Sequence, residues 1–324
     1  MKQLTEIKQP IAEEFSVFEK EFKGLLHSPV PLLNIVLRYI IRQKGKQIRP
    51  LFVFLSASLC GKITEHTCRA ASLIELLHTA TLVHDDVVDD SYERRGVFSI
   101  NALWKNKISV LVGDFLLSKG LLLALDNNEF DLLKIVSEAT REISEGELLQ
   151  IERARKLDIT EELYFDIIRK KTASLIASCC ASGASSAGAP KDTVEKMRLF
   201  GEKTGIAFQI KDDLFDYEKM NATGKPTGND LKEKKMTLPL IYFLQTTDKN
   251  TKKNTIRTVK QHNKNPQKIR EIITIVNKSG GIEYARKKMQ GFKNQALDIL
   301  FEFPPSQARD SLEKLVNFTT QRKY

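Results

Sequence analysis

The sequence predicts an all-helical protein, and three observations support this prediction. Apolar residues recur at intervals of three and four over long stretches, which is the spacing of an amphipathic helix. Few segments show the strict alternation of a β-strand. The glycine-rich nucleotide motifs and fixed short repeats of other architectures are absent. At 324 residues and 41% hydrophobic composition, with no sharp compositional change, the chain is expected to form one domain over residues 1–324.

The predicted helices follow one another along the chain. The first two have apolar helical spacing. A third is predicted to begin at the end of the segment GKQIRP, because the glycine of that segment supplies a turn and its proline suits a first helical turn. A nearly uniformly apolar helix then leads into the acidic stretch Thr79 to Gly96. In order, the predicted elements are helices at 11–22, 31–41 and 51–59, an apolar helix over 73–83 that leads into the acidic motif, helices at 108–125, 129–151 and 162–184, a loop at 185–190, a helix from 191, a mobile flap at 219–240, and three helices within 268–324.

Composition and terminal sequence give expectations about the compartment. No run of about 18 uncharged apolar residues is present, so no membrane span is predicted. The polar N-terminus MKQLTEIKQP excludes an ordinary signal peptide. Cys60, Cys68, Cys179 and Cys180 lack CxxC spacing and are interpreted as buried thiols in a reducing environment. We therefore expect a cytoplasmic protein.

The net charge of +10 is concentrated in Lys249 to Arg270, a basic segment poor in aromatic residues. We interpret this segment as a solvated connection between helices, and contact with a membrane surface is the weaker alternative. A nucleic-acid partner is not expected, because no nucleic-acid-binding motif accompanies the charge.

Asp85 and Asp89 indicate a metal site. They are four residues apart, so a helix places both carboxylates on one face, about 5 to 6 Å apart at Cβ. Mg²⁺ is the expected ion, because it prefers oxygen ligands and usually binds one or two carboxylates together with substrate phosphates. Arg94 and Arg95 follow and offer donors that match phosphate oxygens. An isolated acidic face would be solvated instead, but the apolar helix upstream indicates a buried element whose carboxylates need a partner.

The same DDxxD spacing recurs at Asp212, Asp213 and Asp216, again after an apolar helical run. Two such clusters are far less expected by chance than one. Lys46 and Arg49 stand near a predicted helix N-terminus, where free N–H groups favour an anion, although alone they would be ordinary surface cations.

In combination, these segments resemble the trans-type (E) isoprenyl diphosphate synthases from about residue 30 to the C-terminus. The resemblance rests on GKQIRP, DDVVD with its trailing RRG, the Lys171-Thr172 pair, FQIKDDLFD and TGKPTGNDLKEKKMTLPL. ELLHTATLVHDDVVDD and SVLVGDF resemble the long-chain, octaprenyl-type branch. The resemblance implies the isoprenoid synthase type I fold, an all-α bundle of long helices around a central deep cavity, and a homodimer.

It also implies an activity, namely repeated condensation of isopentenyl diphosphate with an allylic diphosphate. The product would be an all-trans polyprenyl diphosphate of C30 to C50, with octaprenyl diphosphate expected, and peripheral membrane contact would assist its release. Three Mg²⁺ ions are implied, with Asp85, Asp89 and Asp212 as ligands and Asp86, Asp213 and Asp216 in support.

The resemblance assigns further residues. Lys171, Thr172 and Gln209 take the catalytic positions, since the oxygens of Thr172 and Gln209 would steady the allylic cation. The positions that hold the allylic diphosphate are Arg94, Lys171, Thr172, Gln209, Lys225 and Lys235. Those that hold isopentenyl diphosphate are Lys46, Arg49, His78 and Arg95. A histidine on an apolar helix is usually a core residue, but His78 lies seven residues before Asp85 on the same helical side. His84 is interpreted as structural.

Product length is expected to depend on Ala80, Thr81 and Leu77. Short-chain members of the family commonly place bulky aromatic residues just before the first acidic motif, whereas Ala80 and Thr81 leave a tunnel open toward Leu77. The alternatives are a farnesyl or geranylgeranyl diphosphate synthase, a class I terpene cyclase, a non-catalytic partner subunit, and a basic module that binds nucleic acid or a membrane. The second DDxxD and GKQIRP argue against a cyclase, and two retained acidic clusters argue against a non-catalytic subunit.

Overall fold

A computed structural model describes residues 2–43, 45–94, 96–217 and 228–321. Sixteen α-helices dominate these described residues, and one two-residue β-hairpin accompanies them. In the hairpin, β1 (Glu93–Arg94) pairs antiparallel with β2 (Val97–Phe98), so that Glu93 lies opposite Phe98. The all-helical prediction is confirmed.

The chain forms two compact units that alternate along the sequence. The first comprises Met1–Thr140, Ser178–Arg198 and Phe303–Leu312, and the second comprises Arg141–Ala177, Leu199–Glu302 and Glu313–Tyr324. The expectation of one domain stays a prediction.

Among the first seven helices, the fifth and sixth are long apolar helices that pack against each other. The seven are α1 (Lys2–Lys8), α2 (Ala12–Leu25), α3 (Pro31–Arg42), α4 (Ile48–Cys60), α5 (Glu65–Val88), α6 (Ile100–Asp126) and α7 (Phe130–Lys156), with a 3₁₀ turn at Gln9–Ile11. Thr64 caps α5 through a reciprocal bond with Thr67, and the Ser99 hydroxyl accepts from the backbone of Ala102 at the start of α6. Glycine at position 120 allows α6 to approach Leu73 and Leu77 of α5 closely.

The helices that follow α7 are shorter on average. They are α8 (Glu161–Ile168), a π-helical segment (Arg169–Ala173), α9 (Ser174–Ser186), α10 (Lys191–Phe215), α11 (Asn229–Lys232), α12 (Leu238–Thr246), α13 (Lys249–His262), α14 (Pro266–Lys278), α15 (Gly281–Phe301) and α16 (Gln307–Thr320). In the second unit, buried Ile210, Leu214 and Leu238 belong to one apolar core together with Ile272 and Val276.

Two sequence-based interpretations were wrong. The basic stretch 249–270 is not a connection, because α13 and the start of α14 occupy most of it. The Asp248 carboxylate caps α13, and Val259 of this helix is buried. The predicted flap at 219–240 is largely core where the structure describes it, since Leu231 and Leu238 are fully buried. The apolar residues at these positions outweigh the surrounding lysine and glycine. Residues 219–227 of this stretch lie outside the described residues.

Within the described residues, α6 is the one helix long and apolar enough to cross a membrane by length and composition alone. Only 33% of its most apolar 18-residue window is buried. We predicted no membrane span because no uncharged apolar run of this length is present, and α6 contains Asp114 and Lys119. That expectation stays a prediction.

Candidate active site

The first acidic pair is presented by the end of α5. Asp85 lies in the last turn and Asp89 is the C-cap residue, and the Asp89 amide donates to the Asp85 carbonyl at 2.8 Å. The spacing is therefore helical through the motif, and both carboxylates lie on the same side. Asp85 is half-buried, Asp89 is exposed, and Asp86 is buried. The positive φ of Asp90 turns the chain away immediately afterwards.

His84 anchors this helix end to α6, which agrees with its structural assignment. Its ring covers Gly113, where a Cβ atom would collide with the imidazole. Its Nε2 lies 3.3 Å from the Val110 carbonyl oxygen and 3.4 Å from Oδ1 of Asp114. The contact fixes α5 one residue before Asp85, so His84 holds the acidic pair in place.

The residues predicted to hold isopentenyl diphosphate surround the start of α4 and the middle of α5. Lys46 is exposed just before α4, Arg49 is half-buried in its first turn, and His78 is 9% exposed in α5. Gln47, with φ of 49°, makes the tight entry into α4. Arg94 lies in β1. The predictions for the Arg94 side chain, Arg95 and Lys225 fall outside what the structure describes.

Lys171 and Thr172 lie in the π-helical segment, where we had expected a continuous α-helix. A π-helical turn is a rare feature that occurs often at functional sites. Two glycines make room for it: a Cβ at Gly146 would lie 2.9 Å from the Lys171 amide nitrogen, and one at Gly205 would lie 2.5 Å from Cα of Ala173. The Lys171 ammonium pairs with Glu147 and donates to Oε1 of Gln150 at 3.2 Å.

A chain of hydrogen bonds connects Thr172 to the second acidic cluster. The Thr172 hydroxyl donates to Oε1 of Gln209 at 2.7 Å, and Nε2 of Gln209 donates to Oδ1 of Asp213 at 2.8 Å. Oδ2 of Asp213 accepts the Tyr164 hydroxyl at 2.7 Å. We name these four residues the Thr172–Tyr164 relay. It fixes which way the Gln209 amide faces.

Asp213 is fully enclosed in this relay. Burial raises the pKa of its carboxyl to about 7, against the opposing effect of the hydrogen bonds from Gln209 and Tyr164. Burial and the nearby Asp213 charge raise the pKa of Tyr164, so its hydroxyl keeps its proton and acts as a donor. Tyr164 was missed from the sequence because it stands 49 residues before its partner.

Asp216 has a structural task. Its two carboxylate oxygens accept from the amides of Gly228, Asn229 and Asp230 at 2.9 to 3.0 Å, which closes the N-terminus of α11. Asp230 was also missed. Burial, and then the charges of Asp213 and Asp216, raise the pKa of its carboxyl to about 8. The Lys235 ammonium, which contacts Glu233 at 2.5 Å, lowers the pKa of Asp213 and Asp230.

The donor chemistry of the acidic pair fits Mg²⁺. Among the described residues, no three His, Cys, Asp or Glu side chains group closely enough to hold a metal alone. Mg²⁺ does not require such a cage, because it usually takes one or two carboxylates and completes its shell with water and substrate phosphate. Asp85 and Asp89 supply two such oxygen donors at a helix end. Asp212 is half-buried beside the relay and is the residue of the second cluster that is predicted to bind the metal. The assignment of Asp85, Asp89 and Asp212 as metal ligands stays a prediction.

The predicted length-determining residues lie on α5. Leu77 and Ala80 are 4% and 2% exposed, and Ala80 belongs to an apolar core with Val112 and Leu116. Thr81 is half-buried and donates its hydroxyl to the His78 carbonyl at 2.8 Å. Their role in determining product length stays a prediction.

Comparisons with known proteins agree with the motifs. The profile of the family described as "Polyprenyl synthetase" matches residues 30–276. An all-trans-nonaprenyl-diphosphate synthase (geranyl-diphosphate specific) of Rhodobacter capsulatus is 37% identical over 98% of this chain and 97% of its own.

Solved structures give the same result. A decaprenyl diphosphate synthase from Rhodobacter capsulatus superposes with a TM-score of 0.93 at 33% identity over 98% of both chains. A geranylgeranyl pyrophosphate synthase from Bacteroides thetaiotaomicron gives a TM-score of 0.85 at 38% identity over 99% of this chain and 100% of its own. The family profile matches most of the chain, and the alignment to the nonaprenyl synthase covers nearly all of it at 37% identity. The chain therefore belongs to the polyprenyl synthetase family.

Proposed function

We propose that this protein is a Mg²⁺-dependent prenyltransferase that condenses isopentenyl diphosphate with an allylic diphosphate, repeatedly, to make a long-chain all-trans polyprenyl diphosphate. The observation that carries the proposal is that a member of this family retains both acidic clusters, at the ends of α5 and α10, together with Lys171 and Thr172 in a π-helical turn. A non-catalytic partner subunit would have no need to keep them.

The residues present can serve each part of this reaction. Asp85, Asp89 and Asp212 would hold Mg²⁺, three ions by resemblance to the family, and bound metal would stabilise the charge that grows on the departing diphosphate. Lys171 and Lys235 would donate to that diphosphate. The Thr172 hydroxyl donates its hydrogen bond to Gln209, so the lone pairs of the Thr172 oxygen can face a carbocation. Family analogy assigns the final proton to the departing diphosphate, so no histidine or glutamate base is required.

A product length within C30 to C50 is part of this proposal, and octaprenyl diphosphate is the expected product. The likeness to nonaprenyl and decaprenyl synthases supports a long product, and the likeness to a geranylgeranyl synthase keeps a shorter one as the second candidate. Mass spectrometry of the product made from isopentenyl diphosphate and geranyl or farnesyl diphosphate separates them. Product formed from the allylic substrate alone would indicate a cyclase instead.

We also propose that the protein is a cytoplasmic homodimer. Five large apolar residues of α6 are exposed by 40% to 57%: Leu103, Val110, Leu111, Leu122 and Leu125. Lys105 has non-helical backbone angles, so helical spacing applies only after it. Val110, Leu111, Leu122 and Leu125 are separated by one, three and four residues when counted with Asp114 and Ser118, which places these four along one side of the helix. Such a stripe supports burial against a second copy of the chain.

Replacement of the metal ligands tests the activity. Asp85→Ala and Asp212→Ala are each expected to lower turnover by about 10²-fold to 10³-fold, the scale for losing one preorganised electrostatic element. Removal of Mg²⁺ with a chelator should abolish turnover of the wild-type protein. Asp90→Asn is the matched control, because Asp90 is exposed and asparagine tolerates its positive φ. Unchanged turnover in both alanine variants would contradict the site.

A further inference from the structure

The most one-sided charge on this protein lies on α13 and the start of α14. Residues 249–270 contain eight lysine and arginine residues and no aspartate or glutamate. The whole chain has 51 basic and 41 acidic residues, so without this segment its net charge falls from +10 to +2. Nearly all of the excess positive charge therefore lies in this one segment, and we call its exposed cations the α13 basic surface.

The structure shows that this surface is exposed and that four of its cations form a row on α13. Lys249, Lys253, Arg257 and Lys260 follow one another at intervals of four, four and three residues, so they lie along one side of α13. The opposite side holds the buried Thr255 and Val259 and faces the core of the second unit. Seven of the eight basic residues are exposed, the exception being the half-buried Lys268.

Neutralisation within the protein is slight. Of the eight cations, Lys268 alone has an ion pair with a described residue, namely Glu271 at 2.8 Å. Elsewhere some exposed cations are paired along their helix, as with Arg141 and Glu145 or Lys156 and Glu152. The arrangement keeps like charges together at the cost of mutual repulsion, and an external anionic surface would relieve that repulsion.

We propose that the α13 basic surface docks the protein on an anionic lipid bilayer. A cluster of four to eight lysine or arginine residues on a helix is the arrangement that anionic membranes attract. No aromatic residue occurs between 249 and 270, whereas surfaces that bind single-stranded nucleic acid stack bases on aromatic side chains. No large apolar residue of α13 is exposed, so the contact is electrostatic and the helix does not insert.

The proposed product gives this docking a purpose. A polyprenyl chain of C30 to C50 is an amphiphile with one charged end, and each buried methylene favours the bilayer over water. An enzyme held at the membrane surface can deliver such a chain with little exposure to water. This part of the inference rests on the proposed function, but the docking itself is measured without catalysis.

Vesicle flotation tests the docking. The wild-type protein should float with vesicles of phosphatidylcholine mixed with phosphatidylglycerol, fail to float with phosphatidylcholine alone, and dissociate as salt is raised. The variant with Lys252→Gln, Lys253→Gln, Arg257→Gln and Lys260→Gln should lose at least about 10²-fold in vesicle affinity, since each cation near the surface contributes roughly a fivefold factor.

The matched control removes the same charge elsewhere. Lys20→Gln, Lys23→Gln, Lys134→Gln and Lys191→Gln replace four exposed lysines outside the surface, and this variant should bind vesicles nearly as well as the wild-type protein. Both variants should keep wild-type turnover in detergent solution, which shows that they fold. Equal vesicle binding by the two variants, or no wild-type binding, would overturn the proposal. So would single-stranded oligonucleotide binding that is lost with the α13 cations while vesicle binding persists.

Discussion

At the scale of single residues, the first acidic motif depends on small neighbours as much as on its carboxylates. Gly113 admits the His84 ring, and the ring in turn fixes the end of α5 beside Asp85. Ala80, one turn earlier, lies in a close-packed core. A change of volume at these positions should therefore alter function before it alters the fold.

Ala80→Phe is expected to shorten the product, because a phenyl ring at this position would occupy space that the growing chain needs. Overpacking of the core should also cost about 1 to 3 kcal/mol in the free energy of unfolding. Mass spectrometry of the product and thermal unfolding measure the two effects. Ala80→Ser, which hardly changes volume, should leave product length unaltered. An unshortened product from a folded Ala80→Phe variant would remove Ala80 from the set that determines length.

The four cysteines should react slowly with iodoacetamide at pH 8. Burial raises the pKa of Cys60 and Cys68 to about 11 and that of Cys179 to about 12, so the reactive thiolate is scarce. Since Cys179 and Cys180 are also inaccessible, peptide mass spectrometry should find them unmodified until guanidinium unfolds the protein. Rapid native alkylation of Cys179 would contradict this packing.

At the scale of elements, the π-helical segment and the Thr172–Tyr164 relay cooperate to place Lys171, Thr172 and Gln209. Gly146 and Gly205 allow neighbouring backbone to approach the segment, and the relay ties it to α8 and α10. Buried hydrogen bonds to a carboxylate are stronger than neutral ones. The segment is therefore positioned from several directions.

Tyr164→Phe is expected to lower turnover by about tenfold or more, because the Asp213 carboxylate loses a buried donor and the Gln209 amide is no longer held in one orientation. The loss of stability should be about 1 to 3 kcal/mol. Tyr217→Phe is a matched control: Tyr217 is equally buried, but its hydroxyl bonds Thr237 at 2.8 Å and lies outside the relay. Both variants should be destabilised, and only Tyr164→Phe should lose turnover, with kcat measured at saturating substrate. Equal kcat values would show that the relay is merely structural.

Gly146→Ala should displace the π-helical turn, since its Cβ would lie 2.9 Å from both Cβ of Lys170 and the Lys171 amide nitrogen. We expect about 1 to 3 kcal/mol less stability and a clear loss of turnover. Gly291→Ala, in the interior of α15, has no atom within 4 Å of the new Cβ and should instead stabilise the protein by about 1 kcal/mol. Chemical denaturation and steady-state assays compare the two, and a harmless Gly146→Ala would refute the close approach.

The sequence predicted those features that depend on local spacing. Asp85 and Asp89 could be placed on one face because a four-residue interval has a fixed meaning on a helix. The π-helical turn could not be predicted, because no side-chain periodicity distinguishes one such turn within a helix. Tyr164 and Asp230 were missed because their importance comes from burial beside Asp213, which only tertiary packing creates. The helical nature of α13 was hidden by its charge.

At the scale of the whole molecule, the exposed apolar side of α6 and the α13 basic surface offer two kinds of contact. The first fits a second copy of the chain and the second fits a charged bilayer. Both are external surfaces of otherwise well-packed units, and each can be altered without touching the predicted active-site residues.

Leu111→Glu combined with Leu122→Glu should convert the proposed dimer into monomers, because two charges would be buried in an apolar interface. Light scattering coupled to size-exclusion chromatography gives the mass directly. Val17→Glu alters a comparably exposed apolar residue on α2 and should leave the mass unchanged. A monomeric wild-type protein would contradict the dimer.

The hydrogen bonds that the Asp216 carboxylate accepts at the start of α11 have an evolutionary implication. Gly228 returns to Asp216 through hydrogen bonds to both its carbonyl and its carboxylate, and the Lys235 amide is tied in turn to the Asp230 carbonyl at 2.8 Å. Lys235 is thus held in register by the start of α11, and that start is held by Asp216. A descendant of this chain that lost Asp216 could keep the lysine in its sequence and still lose the position of its ammonium group.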